Sequence, residues 1–187
     1  DRSMLRLEGM RKMINDLLDL TAIESGQKQR EIKNIEFEEL LPDIMEAFEA
    51  QAQERHISLH YDVEKGLSIE GDRSEIEMIL NNLVSNGLKY NYDNGDLHIQ
   101  LYSNNGFVVI SAKDTGIGLS DEEQQKLFQD FARIKNEKTR NIVGSGLGLS
   151  TVKKLATLYD GDVDVASEPD KGSTFTVYLR PPSAETE

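Results

Sequence analysis

The string Asp114-Thr115-Gly116-Ile117-Gly118-Leu119 places a carboxylate two and four residues ahead of a pair of glycines. A carboxylate in that setting accepts a hydrogen bond from an exocyclic amine, while backbone without side chains passes close to a flat ligand. A second string, Gly144-Ser145-Gly146-Leu147-Gly148, opens onto a helical pattern. Glycines there let the chain approach phosphates, and the free amides of a helix N-terminus favour anions. A third group lies in the stretch DRSEIEMILNNLVSNGLKYN, residues 72–91, where Asn82, Asn86 and Lys89 are spaced four and then three apart. At 3.6 residues per turn they line one side of a helix, beside an apolar stripe of Ile76, Ile79, Leu80 and Leu83. Surface helices normally carry Glu and Lys on such a face, and Asn lowers helix propensity.

Each group also has a plainer explanation. The carboxamides can be strays on a solvated face, the Asp-Gly string an ordinary turn, and the second glycine string a hinge. That second string is not the dinucleotide fingerprint, because its spacing differs and a polar loop, not a strand, precedes it. No GxxxxGK[ST] loop occurs. Between the two glycine strings, residues of about 130–146 form a polar stretch holding Arg133, Lys135, Lys138 and Arg140. Connections of that length are usually lids or disordered. Phe128 and Phe131 stand at its entrance as anchors, and with few apolar residues of its own the segment is expected to be mobile without a ligand.

The elements that must position these groups follow from periodicity. Residues 1–25 read as one amphipathic helix, with Leu7, Met10, Ile14, Leu17 and Thr21 as a packing seam and Gly26 as its stop. So much apolar surface implies a second helix from a partner chain or an upstream segment, or a place in the core of this chain. A strand near 32–37, a helix over 38–54 (core face Leu41, Ile44, Met45 and Phe48), a strand through Ile57, Leu59 and Tyr61, and an extended piece near 68–70 lead into the helix of 72–91. Strands at 97–103 and 107–113 join through Asn104-Asn105-Gly106, a hairpin signal. A short helix near 121–129 and another over 147–159, with Val152, Leu155, Ala156 and Tyr159 on one face, precede a second hairpin. In it Phe175, Val177 and Leu179 alternate with polar residues. Strands apolar on one face only, interleaved with three amphipathic helices, describe an α+β two-layer sandwich: a mixed sheet with the helices on one face, preceded by one long helix. The expected division is 1–26, 27–180 and a disordered tail of 181–187.

Composition narrows the partners. Of 187 residues, 37% are hydrophobic and 29% charged, as in an ordinary globular chain. A net charge of −13 disfavours nucleic acid, so any anionic ligand must be held by local amides, a metal ion and a few placed cations. No run approaches the ~18 apolar residues of a membrane span, so no membrane contact is expected of this piece. The absence of cysteine excludes disulfides and thiolate metal sites and suits a reducing, cytoplasmic setting. A chain starting at Asp1 is expected to be part of something longer, whose attachment to a membrane stays open.

Taken together the strings resemble the motifs of bacterial sensor histidine kinases. Asn82-Leu-Val-Ser-Asn86-Gly-Leu-Lys89-Tyr90 is similar to the N box, Asp114-Thr-Gly-Ile-Gly118 to the first glycine box, and Phe128-Gln-Asp-Phe131-Ala-Arg133 to the F box. Gly144-Ser-Gly-Leu-Gly148-Leu resembles the second glycine box and Lys171-Gly172-Ser173-Thr174-Phe175 the last. Residues 1–25, with Asp16-Leu-Leu-Asp19-Leu, resemble the second helix of the family's dimerisation hairpin.

The resemblance implies the Bergerat ATP-binding fold and a set of roles. Asn86 would ligate Mg²⁺ bridging the phosphates, with Asn82 beside it on the nucleotide face, Lys89 would contact phosphate, and Tyr90 would lie near the nucleotide. Asp114 would accept from the adenine amino group along the Gly116–Gly118 turn, with Thr174 nearby. Arg133 and the amides around Gly144, Gly146, Leu147 and Gly148 would hold the triphosphate. The family passes the γ-phosphoryl to a histidine of the hairpin, in a homodimer, and then to an aspartate of a response regulator.

Two departures shape the expectation. The acceptor histidine normally lies in a His-Glu/Asp-x-Arg-x-Pro-like box, whereas His56, His60 and His98 fall in or beside expected strands without it. The chain should therefore bind ATP without phosphorylating itself. Gly87 stands where the family commonly has Ala, at about 1 kcal/mol of helix propensity. Hydrolases that share the fold place a Glu at the position of Asn82, and a carboxamide takes up no proton near neutrality, which favours transfer over hydrolysis. A hydrolase and a non-catalytic nucleotide-binding module remain the alternatives.

Overall fold

The computed structural model describes residues 29–129 and 146–180, with 14, 18, 21, 134, 138–140 and 142. Of the expected leading helix, Ile14, Leu18 and Thr21 have helical backbone and all three are exposed. The rest of that helix, and the tail of 181–187, lie outside the described residues.

The elements run β1 (Ile32–Glu36), α1 (Phe37–Glu54), β2 (Ser58–Val63), β3 (Ser68–Asp72), α2 (Arg73–Lys89), β4 (Asp96–Asn104), β5 (Phe107–Asp114), α3 (Asp121–Gln124), α4 (Gly148–Leu158), β6 (Asp162–Glu168) and β7 (Gly172–Leu179). Five strands form one sheet in the order β2-β4-β5-β7-β6. Only β2 and β4 run parallel, and the other three pairings are antiparallel. The β4–β5 hairpin turns on Asn105 and Gly106, both at positive φ, as a two-residue turn matched to strand twist requires.

Alternation then sorts the side chains. Leu97, Ile99, Leu101, Ile110, Ala112, Val177 and Leu179 face α1, α2 and α4 and are buried with the apolar faces of those helices. The expected two-layer α+β arrangement is the one observed. On the far face Phe107 meets Tyr178 edge to face at 6.2 Å, with the Arg180 guanidinium 4.8 Å above the Phe107 ring. His60 and His98, directly opposite one another on β2 and β4, also lie on that face.

Two details differ from the sequence expectation. β1 and β3 stay out of the main sheet and pair antiparallel with each other. Asp72 both ends β3 and caps α2, so β3 must lie where that helix begins, against the helical layer. The helix expected near 121–129 is a single turn with a Ser120–Glu123 capping box, followed by turns.

The start of α2 is fastened to distant chain. Asp72 Oδ1 accepts from Ser74 N at 3.0 Å, and Oδ2 accepts from Glu31 N at 3.0 Å. Glu75, 1% exposed, takes a forked pair of bonds from Arg30 and another from Tyr159 Oη at 2.8 Å. Burial, together with the neighbouring Glu75 carboxylate, pushes the Tyr159 hydroxyl up to about 12. One face of α2 is thus fixed to the segment before β1 and to the end of α4.

Candidate functional site

The polar stripe expected on α2 exists, and its members differ in how they are held. Asn82 is half-buried and its Nδ2 donates to Met78 O at 2.8 Å. Asn91, just past the helix, is buried, donating to Asp96 O and accepting from Tyr92 N. Asn86 lies between them, half-buried, and its carboxamide makes no hydrogen bond among the described residues. A carboxamide placed so is available to a ligand. The Lys89 ammonium lies 5.4 Å from the centroid of the half-buried Tyr90 ring.

Each end of this stripe meets glycine. At Asn82 the neighbour is Gly148, the first residue of α4, where a β-carbon would lie 2.5 Å from Asn82 Oδ1. Leu147 is fully buried, so only its backbone can face a ligand, while Gly146 holds a positive φ that favours glycine. At the other end Tyr90 O accepts from Ile117 N at 3.0 Å, and a β-carbon on Gly116 would lie 2.2 Å from the same oxygen. Gly118, at φ +60, passes equally close to Glu168 O. From Asn82 to Tyr90 is about 12 Å of helix axis at 1.5 Å per residue. The stripe therefore suits a ligand with an anionic end at Gly148 and a flat end at Asp114.

Asp114 ends β5 with 5% of its surface exposed. Its Oδ1 accepts from Gly116 N at 2.8 Å and from Ser173 N at 3.3 Å. Oδ2 accepts no hydrogen bond among the described residues. Burial pushes the carboxyl up to about 6, against the opposing pull of those two amides.

The hydroxyl expected beside it is a neighbour of the one anticipated. Asp114 is paired with Ser173, and side chains alternate along β7, so Thr174 stands on the opposite face of the sheet beside Lys113 and Ala166. Ser173 takes the inner place, buried, with Oγ 2.9 Å from Ser167 Oγ. Parity alone carries this correction, since Ser173 shares its register with Phe175, Val177 and Leu179.

Of the expected cations, Lys138 pairs with Asp170, which also accepts from Tyr92 Oη at 2.5 Å. That pairing joins Lys138 to the β6–β7 turn, whose Asp170 N donates to Ile117 O at 2.9 Å. Arg133, Gly144, Lys135 and Phe131 lie outside the described residues, as does most of the expected lid. Arg55, which follows α1, has no signal in the sequence. It donates to Leu88 O at 2.5 Å, Asn91 O at 2.7 Å and Asp93 Oδ1 at 2.9 Å, closing the end of α2 from outside. No local pattern flags such a residue, because its partners lie more than thirty positions away.

Comparison with known proteins gives the family and the fold. The profile described as histidine kinase-, DNA gyrase B-, and HSP90-like ATPase matches residues 71–183. The circadian input-output histidine kinase CikA of Synechococcus elongatus is 30% identical over 175 residues, which is 92% of this chain and 23% of CikA. The chain thus spans less than a quarter of that relative. Among solved structures, full-length ShkA in complex with AMPPNP superposes with a TM-score of 0.78 at 25% identity, over 90% of this chain and 35% of that one. Histidine kinase ThkA, in complex with the response regulator protein TrrA, superposes at 0.74 and 19% identity, over 98% of this chain and 50% of that one.

Proposed function

The chain belongs to the histidine kinase-, DNA gyrase B- and HSP90-like ATPase family, and we propose that it is the ATP-binding, phosphoryl-donating part of a sensor histidine kinase. The observation that carries this reading is the stripe on α2, where an Asn86 carboxamide without a partner among the described residues sits between two glycine-lined ends. ATP is the substrate. Asp114 Oδ2 accepts from the adenine amino group, and the Gly116 and Gly118 backbone lies against the base. The amides of 146–148 and the Lys89 ammonium hold the phosphates, joined by Arg133 and Gly144 as the motifs assign them.

Mg²⁺ fits this set through Asn86. Among the described residues no group of three or more His, Cys, Asp or Glu is arranged to hold a metal. An oxygen-seeking cation would therefore take the Asn86 carboxamide oxygen and complete its shell from phosphate and water. Held by Asn86, such an ion would supply positive charge to offset that of the phosphates. The protein's own contribution is positioning and electrostatics, which carry most of the catalysis of phosphoryl transfer. Asn82 favours transfer over hydrolysis, since its carboxamide is spent on Met78 O and on contact with Gly148 and cannot take a proton from water.

The recipient in this reading is a histidine on a dimerisation hairpin, to which residues 1–26 contribute one helix, with 27–180 as the ATP-binding unit and a homodimer in the whole protein. A response-regulator receiver then takes the phosphoryl group, as the ThkA complex suggests by analogy. No described helix is long and apolar enough to cross a membrane; the cytoplasmic location in this reading follows from the resemblance to sensor histidine kinases. The test is transfer from γ-labelled ATP. The 187-residue chain should yield almost no acid-labile phosphohistidine, because His60 and His98 lie on the face of the sheet away from α2 and are paired with Asp96 and Asp62. Fusing the first hairpin helix, with its histidine, ahead of residue 1 should restore labelling. Strong labelling of His56, His60 or His98 would overturn the assignment of the acceptor.

A further inference from the structure

Arg55 lies on the outer end of the helical layer and touches no residue that contacts ligand in the proposed function. It is nevertheless the first link of an unbroken chain of contacts to the base-reading carboxylate. Its guanidinium spans the last turn of α2, donating at 2.5 Å to Leu88 O and at 2.7 Å to Asn91 O, the carbonyls that flank Lys89 and Tyr90. The Arg55 backbone also holds the turn that follows, accepting from Asn94 N at 3.1 Å. Gripped so, the 88–91 segment presents Tyr90 O to Ile117 N at 3.0 Å and packs against Gly116 too closely for any side chain there. Gly116 N in turn donates to Asp114 Oδ1 at 2.8 Å and sets which carboxylate oxygen faces the pocket.

We propose that Arg55 is a positioning residue for base specificity: by clamping the Leu88 and Asn91 carbonyls it fixes the Tyr90 turn, and through Gly116 it orients Asp114 to select an amino over a carbonyl group. The proposal rests on the assignment of Asp114 to the adenine pocket. A planar fork is what the task requires, since two carbonyls and a carboxylate must be held at once and a lysine ammonium is a point donor on a flexible stem. A cation at a helix C-terminus also stabilises the helix through its dipole, and that part lysine can supply. The two contributions therefore separate experimentally.

The experiment measures Kd for ATP and for GTP, both with Mg²⁺, and the unfolding midpoint, in the wild-type chain, Arg55→Lys and Arg55→Ala. Wild type should prefer ATP by roughly tenfold or more. Arg55→Lys should keep most of the thermal stability yet lose most of the preference, with ATP weakened and GTP nearly unchanged. Arg55→Ala should lose both. Equal weakening toward the two nucleotides, or an unchanged ratio in both variants, would overturn the role of Arg55 and leave the nucleotide site standing. A wild-type chain that bound both nucleotides equally would instead remove Asp114 from the adenine pocket, and this inference with it.

Discussion

Replacing Asp114 with asparagine tests the base pocket with a near-isosteric change. Two backbone amides, Gly116 N at 2.8 Å and Ser173 N at 3.3 Å, converge on Oδ1. They will hold the carboxamide oxygen of the substituted side chain in that place and turn its amide nitrogen to where Oδ2 faced the pocket. A donor then meets the adenine amine, another donor, whereas guanine presents a carbonyl at that position. Losing a charge-assisted bond of about 1.5–3 kcal/mol predicts roughly 10- to 150-fold weaker ATP binding. GTP binding should improve, so the preference should narrow or invert. Stability moves the other way. Because burial raises the folded-state pKa of Asp114 from 3.8 to about 6, its contribution to stability is fully present below pH 3.8 and is lost as pH rises through about 6. At about pH 7.5 the ionised carboxylate disfavours the ligand-free fold by about 3 kcal/mol. The neutral Asp114→Asn variant escapes that penalty, should unfold at a higher temperature than wild type near neutral pH, and should lose this advantage near the acid end, where the wild-type carboxyl is protonated. As pH drops through about 6, ATP affinity should fall more steeply in the wild type than in the variant, which keeps only the titration of the nucleotide's own phosphate. Calorimetric titration with both nucleotides across roughly pH 5–8, beside thermal melts, reads all of this. An ATP to GTP ratio left unchanged by the substitution would remove Asp114 from the base pocket.

Other consequences follow from the packing around α2. Arg30→Ala strips the forked partner from Glu75, which is 1% exposed, while Arg30 itself is about a third exposed. Breaking a buried pair from one side costs about 3–5 kcal/mol, and the partial exposure of Arg30 brings the expected loss to about 2–3 kcal/mol. Glu75→Gln in the same chain should recover part of it in urea denaturation, and an additive double mutant would show that the pair is not coupled. Gly87→Ala should gain about 1 kcal/mol of helix propensity. However, the new methyl would lie 2.4 Å from Leu97 Cδ1 in a fully buried contact, where overpacking costs about 1–3 kcal/mol. The variant should melt lower than wild type, Leu97→Val should relieve it, and a higher melting temperature for Gly87→Ala alone would show that Leu97 yields freely.

What the sequence made legible was local. The 3.6-residue rhythm of 72–91 placed Asn82, Asn86 and Lys89 beside the core stripe, and the Asn105-Gly106 pair announced its hairpin. Strand parity also held the answer at β7, where Ser173, not Thr174, had to share a face with Phe175. The rest depended on partners distant in the chain. Glu75, in a first helical turn, reads as a solvated acid, yet it is buried because Arg30 and Tyr159 reach it from 45 and 84 residues away. Gly87 reads as a weak point in a helix, but Leu97 occupies the space its side chain would need. The separate pairing of β1 with β3 arises because Asp72 must serve strand and helix cap at once, a constraint that no single window of sequence displays.

In this reading the stripe on α2 binds a nucleotide through a metal held by Asn86. Its most direct test is calorimetric titration of ATP into the wild-type chain and into Asn86→Ala, each with Mg²⁺ and with the ion chelated. Asn86 stands beside the core stripe, half-buried, so the variant should retain its fold and melting temperature. Wild type should bind ATP markedly tighter with Mg²⁺ than without, and Asn86→Ala should lose that increment while keeping the metal-independent affinity. Mg-ATP affinity unchanged by the substitution would remove Asn86 from the metal, and a wild-type chain indifferent to nucleotide would remove the stripe from nucleotide binding altogether.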